Sequence, residues 1–309
     1  MEGLVDPEMR ETLTDIGGFD RCVTEFIRVS DLLLPPKAFI RLCPELKTHG
    51  QTRNNIPVAV QLLGGKPAPM AENAARAAFL GAPSIDINFG CPAKTVNRHD
   101  GGASLLKSPH RLFDIVKAVR EAVPNNIPVT AKIRLGFDDK SLALENAQAT
   151  QEAGAAELVV HARTKKEGYA PPAHWEWIAK IREAVDITVI ANGDIWNIES
   201  YQRCIDVSGC SDVMIGRGAI RCPDIGLQIH HYNRLEHYQA QDWPLICGTI
   251  LSYVSKLEHR LEARYLCARL KQWLGLLSQN LEPAATTFQA IKRQQDLAVI
   301  KHSLLSQCA

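Results

Sequence analysis

The sequence predicts an α/β protein built on a parallel (β/α)8, or TIM, barrel and followed by an all-helical domain. Three observations carry that expectation. Short, nearly continuous apolar runs alternate with amphipathic stretches from residue 22 to about 234, as parallel strands buried on both faces and joined by helices require. Arg28, Gln61, Asn88, Lys132, His161, Asn192 and the pair Gly216-Arg217 fall at the C-terminal ends of those runs, the rim on which barrel sites are built. Beyond residue 240 the strands stop and only helical periodicity continues. The expected division is residues 1–238 and 239–309.

Residues 5–17 read as a helix, and 22–28 as a strand ending in a charge. Leu34-Pro35-Pro36 interrupts the pattern, and 47–56 is polar and hairpin-like. The next strand, 58–62, runs into Gly64-Gly65 and is followed by an Ala-rich helix over 70–80. Strand 84–88 leads into the turn Gly90-Cys91-Pro92, where glycine permits an unusual backbone and proline stiffens the chain after it. After the glycine-rich loop 100–104, residues 109–122 place apolar side chains at 112, 115, 116 and 119, a period near 3.6. Strand 129–135, helix 142–153 closed by Gly154, strand 157–161, helix 174–184, strand 187–191, helix 197–206, strand 212–215 and helix 219–234 complete the alternation. Helices over 246–279 and 284–305 come last.

Seven strands result, whereas a closed barrel has eight. The sequence opens at Met1-Glu2-Gly3, where a rim loop belongs, and enters a helix directly. The first strand is therefore expected to be missing: either the true start lies upstream, or the strand was lost. An open barrel of this kind leaves two unpaired edges.

Composition excludes several classes. The chain has 309 residues, 46% hydrophobic and 22% charged, with a net charge of +1. That suits a soluble globular protein and not a basic-tailed nucleic-acid binder, so any nucleic-acid contact must come from a local patch. Nine scattered cysteines, an odd number without a C-x-x-C pair, argue against a disulfide framework or a zinc site and for a reducing cytoplasm. No run is long and apolar enough to span a membrane, and the N-terminus lacks the pattern of a signal peptide.

Three groups of residues bear on chemistry. Cys91 sits on a turn just after Asn88 and before Lys94 and Arg98. An amide, a thiol and cations at a strand end could hold a planar polar substrate and pass it a proton. The alternative is that Cys91 is a small buried hydrophobe. Asn192-Gly193-Asp194 and Gly216-Arg217-Gly218 end the last two strands, where barrels commonly bind phosphate. Backbone N–H groups there can cradle an anion, with Arg217 pairing its charge; the alternative is plain turn chemistry. On a continuous C-terminal helix, Lys256, Arg260, Arg264 and Lys271 share an arc of about 80°. Residues 240–309 carry eight Lys/Arg against five Asp/Glu, hence +3, while the preceding 239 carry 27 against 29, hence −2. Such a stripe suits a polyanion, or is a solvated face.

Asn88-Phe89-Gly90-Cys91-Pro92, Gly101-Gly102-Ala103, Lys132-Ile133-Arg134, His161-Ala162-Arg163-Thr164, Ala191-Asn192-Gly193-Asp194 and Met214-Ile215-Gly216-Arg217-Gly218 together resemble the tRNA-dihydrouridine synthases, in order from residue 1 to about 305. The opening Met1-Glu2-Gly3, Ile27-Arg28-Val29 and Lys271-Gln272-Trp273-Leu274 look most like the branch that modifies uridine 16 in the D-loop of bacterial tRNA. The family's first strand, which ends in Ala-Pro, is the departure from the pattern. The resemblance implies a TIM-barrel flavoenzyme with bound FMN, reduced by NADPH, that reduces the C5–C6 double bond of a uridine, and a helical domain that grips tRNA.

Residue by residue, the resemblance implies Cys91 as the catalytic donor of a proton to C5 from the face opposite the flavin. A neutral thiol suits that role. Met1, Glu2, Gly3, Gln61, Lys132, His161, Asn192, Gly193, Asp194, Gly216 and Arg217 would bind the cofactor. Asn88 would orient the uracil, and Arg28, Tyr169, Arg260, Arg264, Arg269 and Lys271 would contact the tRNA. Taken singly, His161 could be a satisfied core histidine and Lys132 a snorkelling lysine; the set argues against both. The enzyme is expected to be a cytoplasmic monomer without metal. Two other functions compete: an FMN barrel oxidoreductase acting on a free pyrimidine, which the basic helices disfavour, and a catalytically silent tRNA-binding protein.

Overall fold

The computed structural model describes residues 3–308. Helix α1 (Pro7–Ile16) precedes two short strands, β1 (Cys22–Val23) and β2 (Ile27–Arg28), and helix α2 (Pro36–Leu42). Then come β3 (Val58–Leu63), α3 (Pro67–Phe79), β4 (Ile85–Asn88), α4 (Lys94–Arg98), α5 (Pro109–Ala122), β5 (Val129–Arg134), α6 (Ala143–Glu152), β6 (Glu157–His161), α7 (Trp175–Ala184), β7 (Thr188–Asn192), α8 (Ile198–Ser208) and β8 (Val213–Met214). The remaining helices are α9 (Arg217–Arg221), α10 (Ile225–Asn233), α11 (Trp243–Glu258), α12 (Ala263–Leu277), α13 (Glu282–Ile291) and α14 (Leu297–Leu305).

Every ladder is parallel. β1 and β2 both lie along β3, as two pieces of one strand position, and the sheet continues β3–β4–β5–β6–β7–β8 in sequence order. This is the winding of a TIM barrel, and the seven strand positions are those expected. Among the described residues no ladder joins β8 to β1. All six residues of β3 are buried, so hydrophobic burial on both faces, not alternation, specifies the strand. Helix α5 buries Leu112, Ile115, Val116 and Val119, the four positions its periodicity picks out. The registers align Asn88 with Lys132, Arg134 with His161, and His161 with Asn192. The polar ends of β4 to β7 are thereby brought side by side.

The structure divides into two compact units. The first contains the chain up to Pro7, Asp20–Ile195 and Glu199–Ile215; the second contains Glu8–Phe19, Trp196–Ile198 and the chain from Gly216 onward. The expected boundary at 238/239 thus runs inside the second unit. Packing explains why. Gly18 lies so close to the start of α10 that a Cβ there would sit 2.2 Å from the Gly226 carbonyl carbon. Buried Asp224 accepts hydrogen bonds from the Tyr238 hydroxyl (3.2 Å) and the Gln241 N–H (2.8 Å), which fastens the 235–242 segment to α10.

Several local expectations change. Helix α3 starts at Pro67, not 70, because proline at the first helical turn gives up no hydrogen bond. The 47–56 stretch contains the end of a 3-10 turn (Pro44–Thr48), and its Gln51 forms one antiparallel bridge with Pro57 just beyond it. The expected helix 219–234 is split at Cys222, next to Pro223, which has no N–H to donate.

The helix expected over 246–279 is two helices, α11 and α12, and the one over 284–305 is α13 and α14. The first break has no glycine or proline. It is closed instead by Leu257, whose carbonyl accepts from the N–H groups of Arg260 (2.9 Å) and Leu261 (3.0 Å), before Glu262 turns extended. Folding back lets α11 bury Ile250, Tyr253 and Leu257, and α12 bury Leu270, Trp273 and Leu277. Tyr253 and Trp273 meet edge to face at 5.2 Å. Each large side chain so buried contributes about 1.5–3 kcal/mol, which outweighs the roughly 1 kcal/mol of each helical hydrogen bond given up at the break. The basic stripe, drawn on one continuous helix, therefore does not exist as one stripe.

Candidate active site

The Cys91 turn follows β4 in the first unit. The Asn88 side-chain carbonyl accepts the Gly90 N–H at 2.9 Å, which closes the turn. Cys91 is 9% exposed and packs with Leu63 and Val96 beside Phe26 and Ala93. Its carbonyl accepts from the Ala103 N–H (3.1 Å) and the Asn97 side-chain amide (3.0 Å). Gly102 has φ +60°, and a Cβ there would press on the Cys91 carbonyl at 2.9 Å and its Cβ at 3.1 Å. The glycine-rich loop is thus a brace for the cysteine turn.

Two polar chains cross the strand ends. In the first, Gln61 on β3 donates to Asp86 on β4 (2.7 Å), Thr130 on β5 donates to the other Asp86 oxygen (2.6 Å), and Asn88 donates to Gln61 (2.8 Å). Asp86 is 1% exposed, and burial raises its pKa against the opposing hydrogen bonds of Thr130 and Gln61 and the charge of Lys132. In the second, Lys132 donates to the Asn192 side chain (2.8 Å), which donates to the Met214 carbonyl (2.7 Å). Burial, helped by the charge of Arg134, brings the Lys132 pKa down to about 7; Asp86 acts the other way.

The β6 and β7 ends add a compact corner. Gly193, at φ +124°, is so near His161 that a Cβ would lie 3.2 Å from the imidazole. The Trp175 indole holds the Gly193 carbonyl at 3.0 Å. Asp194 takes a positive φ of 53° and pairs with the fully buried Arg163, which also donates to the Ala170 carbonyl at 2.6 Å. Arg134, 3% exposed, ties three backbones together: Gly90 (2.8 Å), Thr164 (3.1 Å) and Gly168 (2.9 Å). Burial lowers its pKa. Tyr169, 54% exposed, stacks on the Arg134 guanidinium at 5.3 Å and faces His161 at 6.0 Å.

Gln61, Asn88, Cys91, Lys132, His161, Tyr169, Asn192, Gly193 and Asp194 therefore converge at one set of strand ends. Arg28, exposed at the end of β2, lines a cavity of about 410 Å³ with Phe26, Arg41 and Val96. Gly3 donates to Glu25 at 2.5 Å; Met1 and Glu2 lie outside the described residues. Asp86, Arg134 and Arg163 were not singled out from the sequence. The signal was there: each is a charge set in or just after an otherwise apolar strand.

Gly216 and Arg217 lie in the second unit, where Arg217 sits over the Trp196 ring at 5.2 Å. Lys256 pairs with Glu11 (3.3 Å) and Asp15 (2.8 Å), and Arg260 with Glu8 (2.7 Å), all on α1. Arg264 pairs with Glu262 at 3.1 Å, both largely exposed. Arg269 meets Gln272 at 3.2 Å, and Lys271 stands on the same helix. Among the described residues no helix is long and apolar enough to cross a membrane, and no cluster of His, Cys, Asp or Glu could hold a metal ion.

Fold and geometry define a class: a TIM barrel whose polar side chains gather at the C-terminal ends of its strands, beside a loop-borne cysteine. The family profile described as dihydrouridine synthase (Dus) matches residues 1–308, and the chain belongs to that family. It is 51% identical over 304 residues to a tRNA-dihydrouridine(16) synthase of Pseudomonas putida, spanning 98% of this chain and 94% of that one. To the tRNA-dihydrouridine(16) synthase of Ralstonia nicotianae it is 49% identical over 308 residues, with the same coverage of 98% and 94%. Among solved structures, a 2-naphthoyl-CoA reductase complex superposes with a TM-score of 0.56 at 11% identity, over 73% of this chain and 46% of that one. That likeness is one of fold.

Proposed function

We propose that this chain reduces the C5–C6 double bond of uridine 16 in the D-loop of tRNA to 5,6-dihydrouridine, with NADPH as reductant and FMN as bound cofactor, as a cytoplasmic monomer. The observation that carries the reading is the near-full-length identity of about half to relatives named for that position.

The rim fits a flavin. Lys132 is a cation that burial disfavours, and an anionic ring system beside it restores its charge. Gln61, His161, Asn192 and the Gly193-Asp194 turn supply amide, imidazole and backbone groups around it. Bound there, the flavin would supply a hydride, that is, the two electrons and one of the two hydrogens of the reduction. The protein's own part is placement and one proton. Cys91 donates that proton from its thiol to C5 of the uracil, and Asn88 orients the uracil's polar edge. The target base has to leave its stack in the folded tRNA, which costs a few kcal/mol. Tyr169, exposed above Arg134, is suited to stack on an extruded base. The tRNA itself is held through its backbone by Arg28 and by the cations of α12: Arg264, Arg269 and Lys271.

Incubation of the protein with an unmodified tRNA transcript, FMN and NADPH, followed by mass mapping of RNase fragments, tests this. The fragment carrying position 16 gains about 2 Da from two hydrogens. A gain at another uridine, or reduction of free uridine but not of tRNA, overturns the assignment.

A further inference from the structure

The proton of the proposed reaction comes from Cys91, and the position of that thiol depends on how the turn before it is held. Asn88 and Gln61 carry amides that are chemically two-faced: one side accepts, the other donates. Nothing within either side chain says which side points where. Their neighbours decide. At one end of the chain stands the Gly90 N–H, which can only donate, so it takes the Asn88 carbonyl side. At the other end stands an Asp86 oxygen that accepts the Gln61 NH2. Between them the Asn88 NH2 faces the Gln61 carbonyl at 2.8 Å. Each link is a donor meeting an acceptor, and reversing one amide puts two donors or two acceptors together at both of its contacts.

We propose that Asp86 is a positioning residue: through Gln61 and Asn88 it fixes the amide orientations that hold the Cys91 turn. Asp86 itself does not touch the turn. It is held from the far side by the Thr130 hydroxyl at 2.6 Å, so three neighbouring strands, β3, β4 and β5, share one carboxyl group. A buried amide without its acceptor is left unsatisfied, which lets Gln61 turn over and take Asn88 with it. The assignment rests on Cys91 as the proton donor for its meaning, but not for its test.

The test is a double-mutant cycle on Asp86→Ala and Asn88→Ala with two readouts. The first is the rate at which iodoacetamide alkylates Cys91 in flavin-free protein, tracked on its peptide by mass spectrometry. The second is kcat for tRNA reduction at saturating flavin. Both single variants should change the Cys91 alkylation rate several-fold in the same direction, and the double variant should change it no further than Asn88→Ala alone; kcat should show the same non-additive pattern. Additive effects, or an Asp86→Ala protein with wild-type Cys91 reactivity, overturn the proposal. Asp86→Asn keeps an oxygen for Gln61 and can give its NH2 to the Thr130 hydroxyl, so it should fold and behave as wild type on both readouts. An Asp86→Asn protein that resembles Asn88→Ala also overturns it, since charge and not acceptor placement would then be at work. If Asp86→Ala does not fold, Gln61→Met cuts the same chain one link later, with the same non-additivity expected against Asn88→Ala. Alkylation is read without cofactor or tRNA, so its outcome stands apart from whether uridine reduction is the activity.

Discussion

At the barrel rim, polar groups are buried and each is met by a matched partner: Asp86 by Thr130 and Gln61, Lys132 by Asn192, Arg163 by Asp194. On α11 and α12 the cations lie at or near the surface and pair directly with carboxylates: Lys256 and Arg260 with α1, Arg264 with Glu262. Both regions rely on charged groups but use them differently. In a low-dielectric site a misplaced dipole is costly, so geometry is fixed before any substrate arrives. At a wet surface each pair is worth about 0–1 kcal/mol, so a phosphate can displace the carboxylate. A rim built this way suits chemistry, and a surface built that way suits reversible grip.

The contrast can be broken at its strongest point first. Cys91→Ala should keep bound flavin and its reduction by NADPH, yet lose about 10²–10⁴-fold in uridine reduction, the range for a positioned proton donor. Stopped-flow flavin absorbance separates the two half-reactions, and full turnover in the variant removes Cys91 from the chemistry. Next in size, Arg163→Met strands Asp194 and the Ala170 carbonyl and should cost about 3 kcal/mol, as when one partner of a buried pair is removed; the urea midpoint reads it. An unchanged midpoint would mean that the Asp194 corner is held by other contacts.

Lys132 gives a pH signature. Its value of about 7 lies below the ordinary 10.5, so between those limits the native ligand-free protein binds fewer protons than the unfolded chain. This group's contribution to stability therefore rises with pH across that window and is least favourable below about pH 7. An anion bound beside Lys132 shifts the value back up, so flavin binding should take up a proton above pH 7 and weaken toward pH 9. Calorimetry in buffers of different ionisation enthalpy measures the uptake, and Lys132→Met should abolish it. The smallest effects belong to the second unit. Lys271→Ala should lower the salt slope of tRNA binding by about one, whereas Arg260→Ala should lower it less, because Glu8 already holds that guanidinium at 2.7 Å. Equal slopes for the two variants would erase the distinction between paired and available cations.

Much of the first unit was legible in the sequence because burial on both faces writes a strand as an unbroken apolar run, as in Val58–Leu63. The converging residues were legible for a related reason: a polar side chain directly after such a run has only the rim to occupy. Asp86 and Arg134 were harder to read, since a single charge inside an apolar strand looks like noise until its partner, distant in the chain, is placed beside it. The C-terminal helices misled for the opposite reason. The turn at 259–262 is specified by what α11 and α12 bury against each other, and no local residue announces it. The helical wheel then carried a stripe across a bend.

The brace formed by the glycine-rich loop has a practical use. The Ala103 amide is bonded to the Cys91 carbonyl and to nothing in the chemistry. Its deuterium uptake is therefore a clock for opening of the cysteine turn, readable in native protein with the thiol untouched. Slow exchange in the resting state and slower exchange with tRNA bound would describe a turn that is set in advance and then clamped.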